Sequence, residues 1–482
     1  MSVRTTVSLL VMVVLMAGAF WFGRQAGWLL RGAPGDAGAA ELSGADAPQA
    51  VRLVQGDAAT SLRIERPGAA PLVFRRTVTG WDQVEPVWYP LKRSLAAELV
   101  AAVTAPVGEP LSLEPEAPEA DAADDDAPAG TDSLASLALD PPSAEVRVTT
   151  DAGEQLIRIG EELLATGTGY AWTPDAGAVR VPDTLHRFTL HLDPAALRER
   201  RLPVPLPTAT QQIELRRPDQ PAVTLERLPD NTWWLIASGV GSAADADAVA
   251  TVLDLLVAPV VNRFMDAAGS DDAAADADAR EAQLRNFGLG GNAREVTELR
   301  VADTLPTGRE AAAPAARVRF GRASDLEGAQ IFAQAVSADG RLGPPMQVNR
   351  AALAPLLDAD ADSLRLRRLF RASLGGVRAV ELVDAEGRTR TAELGPGRAV
   401  PGWLRGPAGV VEAEAASFLP GFRSGDAPVL TVTVRSGIST VESIRILRRG
   451  DEAVAIREGE ALGLVLPPGV LQVWLALTAA GG

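Results

Sequence analysis

The hydrophobic pattern of the chain begins with one long apolar run. Residues 7–22 are almost wholly apolar, and Arg4 and Arg24 flank the run. A membrane-spanning helix needs about 20 such residues, within a range of about 17 to 25, and the adjoining threonines and glycine bring the run to that length. The pattern therefore predicts a transmembrane anchor with its flanks at 1–31, followed by a linker at 32–60.

A cleaved signal peptide is the alternative interpretation of this run. Ala17, Gly18 and Ala19 are small residues of the kind that a signal peptidase accepts. Cleavage there would leave Phe20 and Trp21 at the new terminus, so we favour an uncleaved helix. In both cases the rest of the chain is exported. We expect a single-pass protein of the cytoplasmic membrane, with its bulk on the extracytoplasmic side.

Beyond the linker, short alternating segments form a pattern that occurs twice. Residues 62–67 and 213–218 each alternate apolar and polar side chains and stop at a proline. A second short alternating segment and a tryptophan follow, Trp81 in one copy and Trp233 with Trp234 in the other. This order predicts, in each copy, a hairpin that leads to a tryptophan.

The two copies then share five further features in one order. These are a helix-period segment (94–103 and 243–257) that opens near a predicted serine N-cap (Ser94 and Ser242), an acidic insert (114–132 and 266–281), a leucine-containing turn (137–141 and 287–290), a strand that ends in glycine (Gly160 and Gly321) and a closing Leu-Arg-x-Arg segment (197–202 and 364–369). The sequence therefore predicts two α+β units, at 61–205 and 212–370.

A third copy of the hairpin begins at residue 377. Two short alternating segments lead to Trp403, and the chain from 429 to 477 alternates apolar and polar residues with glycine at the turns. We therefore predict a partial third repeat within a β-rich C-terminal region at 377–482. The predicted fold class is α+β, with one transmembrane helix, tandem α+β units and a mostly β C-terminal region.

Composition removes several classes of site. The net charge of -16 opposes nucleic-acid binding, because that affinity comes largely from basic side chains that neutralise phosphates. Lys92 is the only lysine, and it follows a leucine rather than the glycine of a Walker A loop, so we expect no nucleotide partner. The chain has no cysteine, which excludes disulfides, thiolate metal sites and thiol nucleophiles.

Two glycine-containing loops are candidate phosphate-binding sites. Residues 239–244 follow a strand and open a helix, as a dinucleotide fingerprint requires. The equivalent junction of the first copy has no glycine, however, and no acidic ribose ligand follows at the expected distance. Residues 288–293 are more simply a turn. We predict no cofactor.

A short acidic series resembles the opening of a calcium loop. Asp358, Asp360 and Asp362 have the right spacing, but Ser363 stands where such a loop needs glycine. Leu369 stands where it needs the bidentate glutamate. A solvated helix cap is the favoured interpretation, and we predict no metal site.

The two histidines, His186 and His191, lie in one stretch and lack the spacing of a zinc protease. No Gly-x-Ser-x-Gly nucleophile elbow occurs either. We therefore predict no catalytic residue and no enzyme. Seven tryptophans beyond the apolar run could stack on sugars or fill cores, and we favour the core interpretation. They are Trp81, Trp88, Trp172, Trp233, Trp234, Trp403 and Trp474.

Six features of the first copy follow one another in a characteristic order. They are the apolar run, the strand before proline, the tryptophan, the Leu-x-Leu-Asp-Pro turn at 137–141, the strand ending at Gly160 and the Leu-Arg-x-Arg segment at 197–202. The series resembles the bacterial family called domain of unknown function 4340, and it covers about 1–370, twice over. Ala138 and the Gly290-Gly291 pair depart from the family's turn. The resemblance implies an exported accessory protein, often encoded beside gliding-motility-type ABC transporters, with no known catalytic residues.

The leading hypothesis is therefore a non-enzymatic, membrane-anchored scaffold that contacts a transporter or another envelope component. The alternative is an envelope glycan-binding or glycan-modifying protein, in which the tryptophans and a carboxylate pair would line one groove.

Overall fold

The computed structural model describes residues 50–56, 58–111, 132–265, 273–290, 296–305, 316–395, 399–406, 408–422, 426–436 and 440–480. In this part of the chain, three antiparallel sheets follow one another, and helices of 4 to 14 residues lie between their strands.

The predicted transmembrane helix at 7–22 lies outside the described residues. Within the described ranges, no helix is both long and apolar enough to cross a membrane. The longest has 14 residues and is polar, whereas a span needs about 20 apolar ones. The predictions of a single-pass transmembrane protein, of the membrane as a partner and of a cytoplasmic-membrane location are therefore withdrawn.

The first sheet has ten strands, in the order β1-β6-β10-β9-β8-β7-β2-β3-β4-β5. They are β1 (Val51–Arg52), β2 (Ser61–Glu65), β3 (Leu72–Arg76), β4 (Trp81–Glu85), β5 (Tyr89–Pro90), β6 (Val107–Pro110), β7 (Ala144–Thr150), β8 (Gly153–Leu163), β9 (Thr168–Thr173) and β10 (Gly177–Pro182). Its helices are α1 (Arg93–Thr104), α2 (Asp132–Ser136), α3 (Thr184–Thr189) and α4 (Pro194–Leu197).

Side chains on β7 alternate strictly between buried and half-buried, as a strand with one face on a core requires. Helices α1, α3 and α4 pack on the buried face of this sheet. The opposite face carries charged side chains.

The second sheet has nine strands, in the order β14-β13-β12-β11-β16-β17-β18-β19-β15. They are β11 (Gln212–Arg216), β12 (Val223–Arg227), β13 (Trp233–Ala237), β14 (Val240–Ala243), β15 (Val261–Phe264), β16 (Thr297–Ala302), β17 (Ala316–Ala323), β18 (Gln330–Val336) and β19 (Leu342–Asn349). Its helices are α5 (Ala246–Val257), α6 (Ala273–Asn286), α7 (Arg350–Leu357) and α8 (Ala361–Leu364).

The third sheet has seven strands, in the order β21-β20-β23-β24-β25-β26-β22. They are β20 (Val377–Asp384), β21 (Thr389–Glu393), β22 (Ser417–Pro420), β23 (Leu430–Ser436), β24 (Thr440–Arg449), β25 (Glu452–Arg457) and β26 (Leu462–Val465). Helix α9 (Val470–Ala479) packs on its buried face, and two short 3-10 helices (Leu374–Gly376 and Gly402–Leu404) complete the elements.

The three sheets share one strand order. Without β1, the first sheet reads β6-β10-β9-β8-β7-β2-β3-β4-β5. The second, from its other end, reads β15-β19-β18-β17-β16-β11-β12-β13-β14, which is the same sequence of elements. The third reads β22-β26-β25-β24-β23-β20-β21 and stops two strands early. We infer three copies of one unit, and in the last the described residues form no counterparts of β4 and β5.

Register supports this equivalence at single residues. Ile64 and Leu215 are both the fourth residue of their strand and are buried. Ile159 and Phe320 each oppose the first residue of the preceding strand, and each opposes an alanine on the following one. The predicted boundaries at 61–205, 212–370 and 377–482 stay predictions.

The predicted α+β class is wrong, because the described part of the chain is mostly β, with 42% in strands and 20% helical. The helix-period segments do form 12-residue helices, but the helix that leads into each closing segment has only four residues and ends at the first leucine of that segment. The predicted serine N-caps are also wrong, since Lys92 and Asp245 precede the two long helices.

The two glycines predicted to end strands lie inside β8 and β17 instead, and packing explains why each is glycine. A Cβ atom on Gly160 would collide with the carbonyl oxygen of Leu137, and one on Gly321 would collide with that of Phe287. In both sheets, the amide that follows the glycine donates to this carbonyl over 2.9 Å. Only glycine lets the leucine-containing turn approach the strand so closely.

One side chain of the first sheet lies in the core of the second. Tyr89 in β5 is fully buried, its hydroxyl donates to the carbonyl of Arg201 over 2.9 Å, and its ring meets Phe264 edge-on at 5.0 Å. Burial raises the pKa of this phenol, so it stays a neutral donor. The two sheets therefore do not have fully separate cores.

Tyr89→Ala is expected to destabilise the second sheet although the residue belongs to the first. Truncation of a buried aromatic costs about 3 to 5 kcal/mol, and hydrogen exchange in β15 and β19 should accelerate. Trp81→Ala is the control, since this indole is only half-buried and packs against the first core, and its effect should be smaller and confined to the first sheet. Exchange changes limited to the first sheet in Tyr89→Ala would contradict the shared core.

Candidate functional site

The closing Leu-Arg-x-Arg segments lie at the junctions between consecutive sheets. In the first, the carbonyl of Leu197 accepts from the amide of Lys92 in its own unit over 2.8 Å. Three residues later, the carbonyl of Arg200 accepts from the amide of Val261 in the next unit over 2.9 Å. This segment is thus bonded on both sides.

The second closing segment repeats this arrangement. The carbonyl of Leu364 accepts from the amide of Asp245 over 2.8 Å, and that of Arg367 accepts from the amide of Ala415 in the third unit over 2.9 Å. The segment therefore joins the second sheet to the third as its counterpart joins the first to the second.

Two of the three arginines in each segment lie over a phenylalanine of the next unit. The guanidinium carbons of Arg198 and Arg200 are 5.1 and 5.3 Å from the ring centroid of Phe264. Arg365 and Arg367 are 5.5 and 5.4 Å from that of Phe418. These are cation–π distances. We call each set of two arginines and one phenylalanine an Arg–Phe clasp.

The two phenylalanines occupy equivalent register positions. Phe264 in β15 opposes Met346, and Phe418 in β22 opposes Leu464. Each of these partners in turn opposes an alanine on the next strand, Ala333 or Ala455. The clasp is thus a property of the repeated unit rather than of one junction.

The first arginine of each clasp is nearly inaccessible to solvent. Arg198 is 2% exposed, and its Nε donates to Oε1 of Gln83 over 3.0 Å. Arg365 is 4% exposed and forms an ion pair with Asp362. A buried guanidinium needs such partners because an unpaired buried charge is costly.

A further arginine holds the second junction. Arg457 donates to the carbonyls of Leu366 over 2.8 Å and Leu369 over 2.9 Å, and also to that of Arg368. It pairs with the buried carboxylate of Glu460 at 3.0 Å. Burial lowers the pKa of Arg457, but a guanidinium remains charged at neutral pH. The closing segment is therefore bound by a side chain from the core of the third unit.

A cavity of about 410 Å³ opens beside this junction. Its lining combines one indole, apolar side chains of α5 and charged groups of both signs. The principal lining residues are Trp233, Asp245, Val249, Leu253, Arg368 and Arg371. The guanidinium carbon of Arg371 also lies 5.7 Å from the ring of the neighbouring Trp234.

In the first two sheets, a tryptophan lies beside the last hairpin of the sheet, but it belongs to a different strand of the hairpin in each. In the first sheet, the indole of Trp88, the residue before β5, donates to Asp82 in β4 over 3.1 Å. By register, Trp88 corresponds to Gly241 in the second sheet, and Asp82 corresponds to Trp234. A Cβ on Gly241 would lie 2.5 Å from the indole nitrogen of Trp234. Glycine there makes room for the ring.

The candidate phosphate loop at 239–244 is a hairpin turn and a strand. Ser238 and Gly239 have positive φ, and the chain then runs into β14. The helix that follows is capped by its own carboxylate, because Asp245 accepts from the amides of Asp247 and Ala248 over 3.0 Å each. No dinucleotide cradle is formed there.

The second glycine loop ends helix α6. Gly288 has a positive φ, and the amides of Leu289 and Gly290 both donate to the carbonyl of Leu284. This is a common helix C-terminal arrangement. The rest of the candidate loop, at 291–293, lies outside the described residues.

The three aspartates of the calcium-like series have separate structural partners. Asp360 caps α8 through the amide of Ser363, Asp358 pairs with Arg350 at 2.7 Å, and Asp362 pairs with an arginine of the clasp. Across the described ranges, no group of three histidine or carboxylate side chains is placed to hold a metal ion.

The two histidines have opposite environments. His186 is fully buried in α3 against Gly169, and neither ring nitrogen has a hydrogen-bond partner of normal geometry, although the backbone of Tyr170 lies close. His191 is exposed and lies 2.7 Å from Glu162. Burial lowers the pKa of His186, only partly offset by the charge of Glu162.

The seven tryptophans do not share a groove among the described residues. Trp474 is fully buried, and the other six are half-buried. Trp172 is covered by the guanidinium of Arg158 at 5.1 Å, and Trp474 donates to the carbonyl of Ala408. The core interpretation therefore holds fully for Trp474, while four others pack half-buried against the cores (Trp81, Trp88, Trp233 and Trp403) and Trp234 lies under Arg371.

Sequence reasoning found the arginines of the closing segments but missed their partners. Phe264, Phe418, Arg457 and Tyr89 were not singled out, because each lies on a short strand without a motif. The one available signal was the doubled arginine motif itself, since a conspicuous pair of cations in both copies requires a shared partner.

Comparisons with family models, curated proteins and solved structures give no match to this chain. The resemblance to domain of unknown function 4340 therefore stays a prediction.

The clasp should contribute measurable coupling between its members. A double-mutant cycle of Phe418→Leu and Arg367→Gln is expected to show about 0.5 to 2 kcal/mol, because leucine keeps apolar area but has no ring face for the cation. Phe320→Leu with Arg367→Gln is the control cycle and should be additive, since Phe320 lies in the core of the second sheet and Arg367 lies over the ring of Phe418. Urea unfolding measures both, and a coupling of zero at Phe418 would contradict the clasp.

The first sheet should lose stability as pH falls from about 6.5 to 5. The unfolded state takes up a proton at His186 near pH 6.5, whereas the folded state, with its lowered pKa, does not, so unfolding is favoured. Glu162, Asp183 and His191 are the charged neighbours.

His186→Leu should abolish this pH dependence, whereas the exposed His191→Gln should keep it. Urea unfolding monitored by hydrogen exchange in β8 and β9 measures the effect at each pH. Equal pH dependence in both variants would refute the assignment to His186. Asp230 and Asp339, with lowered pKa values, act only below about pH 4.

Proposed function

We propose that this chain is a non-enzymatic scaffold that holds three sheet surfaces in a fixed relation for a protein partner. The observation that carries the proposal is the Arg–Phe clasp, which occurs at both junctions and is supported at the second by Arg457. A chain of freely jointed domains has no need of buried cations at its joints. Rigid coupling is useful when several surfaces bind one partner together.

The open faces of the first two sheets support a protein partner. In the first, Glu145 lies between Arg147 at 3.5 Å and Arg158 at 3.6 Å. Such partly exposed pairs add little stability, so their value is in setting the charge pattern of the surface.

The second sheet repeats the pattern at equivalent positions. Glu298, only 2% exposed, lies between Arg300 and Arg319. On the neighbouring central strand, the order Arg63-x-Glu65 in the first sheet becomes Glu214-x-Arg216 in the second. The two faces thus share a frame but differ in local charge, as two distinct contact surfaces would.

The class of partner comes from the family resemblance. It implies an accessory role beside a gliding-motility-type ABC transporter or another envelope complex, and we propose a protein component of such a complex as the partner. The glycan alternative gains no specific support, because two cavities formed by the described residues are each lined by a single indole, Trp88 in one and Trp233 in the other.

Cross-linking and affinity purification from the native source test this proposal. We expect a transporter or envelope protein to co-purify with the full chain, and its recovery to fall several-fold with Arg365→Gln plus Arg367→Gln, which loosens the second clasp. His191→Gln serves as a matched surface control. Undiminished recovery with the loosened junction, or recovery of chaperones alone, would count against a scaffold that needs fixed sheets.

A further inference from the structure

The third sheet ends in a strand edge that its two counterparts cover. In the first sheet β3 is followed by β4 and β5, and in the second β12 is followed by β13 and β14. In the third, β21 corresponds to β3 and β12, and no described strand lies beyond it. The chain that follows instead enters the core, where Leu404, Val410 and Val411 are buried.

Alternate backbone groups of β21 point away from the sheet. The amide of Leu394 donates to the carbonyl of Arg378, and the carbonyl of Arg388 accepts from the amide of Asp384. In an antiparallel pair these bonded positions alternate with unbonded ones. Thr389 and Thr391 therefore direct their amides and carbonyls outward, where no described backbone group bonds to them.

The side chains of β21 match those of the strand that accepts β13. On the central strands, Glu214 opposes Thr224, and Glu381 opposes Thr391. Each of these glutamates is followed by a leucine that lies in the core. Two positions beyond the threonine, both β12 and β21 carry a glutamate. The third sheet has this same face on its edge strand, while no strand among the described residues pairs with the outer edge.

The second sheet shows what this edge accepts. Opposite Thr224 lies Ile236, and opposite Glu226 lies Trp234. At the position of Val223, which opposes Ala237, the third sheet has Arg390, half-buried on the core side. A charge that points inward at an edge disfavours indiscriminate strand addition. It favours an incoming residue with a carboxylate at that point.

We propose that β21 binds an extended segment of a protein partner by β-strand addition. The segment runs antiparallel to β21 and presents an aromatic residue, then a β-branched residue two positions later, then an acidic residue directly after it. This rests on the proposed scaffold function and names the recognition mode of its partner. Backbone bonds to Thr389 and Thr391 supply affinity, and Arg390 supplies selectivity.

A second copy of this chain fits the edge less well. Self-pairing about Thr391 would set threonine opposite threonine and Arg390 opposite Ala392, with no aromatic or isoleucine side chain. Each chain also carries a net charge of -16, which opposes close association of two copies.

The chain provides its own probe for this edge. A labelled peptide with the sequence of residues 231–238, which contains β13, should bind the full-length protein, and the same peptide with Ala237→Glu should bind several-fold more tightly. A peptide with Trp234 and Ile236 both changed to serine is the control and should not bind. Hydrogen exchange over 388–394 should slow only when a binding peptide is present.

Thr391→Pro removes one outward amide without touching the ladder to β20, so the sheet should stay folded. Peptide affinity is expected to fall about tenfold or more, the loss of a hydrogen bond and of close strand approach. Thr391→Val keeps the amide and should bind as the unchanged protein does. Affinity unaffected by proline, or no binding of either peptide, would overturn the proposal.

Two further outcomes are distinguishable. Concentration-dependent dimerisation that Thr391→Pro abolishes would assign the edge to a second copy and refute the partner segment. If the partner recovered by cross-linking still co-purifies in full with Thr391→Pro, the edge proposal fails while the scaffold proposal stands.

Discussion

The contact on which the arrangement of the three sheets depends is that of two arginines with the phenylalanine ring of the next unit. The arginines follow a four-residue helix, so their backbone is already held by the core of their own unit. The ring sits on a short strand at the near margin of the following sheet. The arginines are fixed to one unit and the ring is fixed to the next, so their contact defines the orientation of the two units. Neither group can move without breaking the packing of its own unit.

This joint also explains why the closing segments carry several arginines rather than apolar residues. A purely apolar contact tolerates sliding, whereas a guanidinium that must satisfy carbonyls and an aromatic face has few acceptable positions. At the second junction, Arg457 and Glu460 tighten this restriction from the opposite side. Arg198, Arg365, Arg457 and Glu460 are buried, which keeps water from replacing their contacts.

The alternating segments predicted the strands well, because one face on a core imposes a period of two wherever a strand forms. Leu62 and Ile64, or Ile213 and Leu215, show this period without help from other parts of the chain. The α+β class was wrong because local periodicity indicates that a helix is present but not the share of the unit that is helical. That share is small beside a sheet of nine or ten strands. The transmembrane prediction is contradicted on another ground, since no described helix is long and apolar enough to cross a membrane, and residues 7–22 lie outside the described residues.

The junction residues could not be predicted for another reason. Tyr89 contacts Met346 from 257 positions away, and Arg457 binds a carbonyl 91 positions earlier. Such contacts leave no periodic trace, and a phenylalanine on a short strand looks like any other core residue. Only the strand order, which requires the fold, reveals that Phe264 and Phe418 are the same position in two copies.

The exchange of the indole between strands has an evolutionary meaning. The same space is filled by one indole in both sheets. In the first sheet it belongs to Trp88 and pairs with Asp82, and in the second it belongs to Trp234 and needs Gly241 opposite it. A hybrid unit assembled from β4 of one copy and the following turn of the other would receive either two rings or none. Such a hybrid would have either a clash or a gap at this point, so the residues on the two strands can be exchanged only together. The two copies therefore share one topology, but single strands of this hairpin are not interchangeable between them.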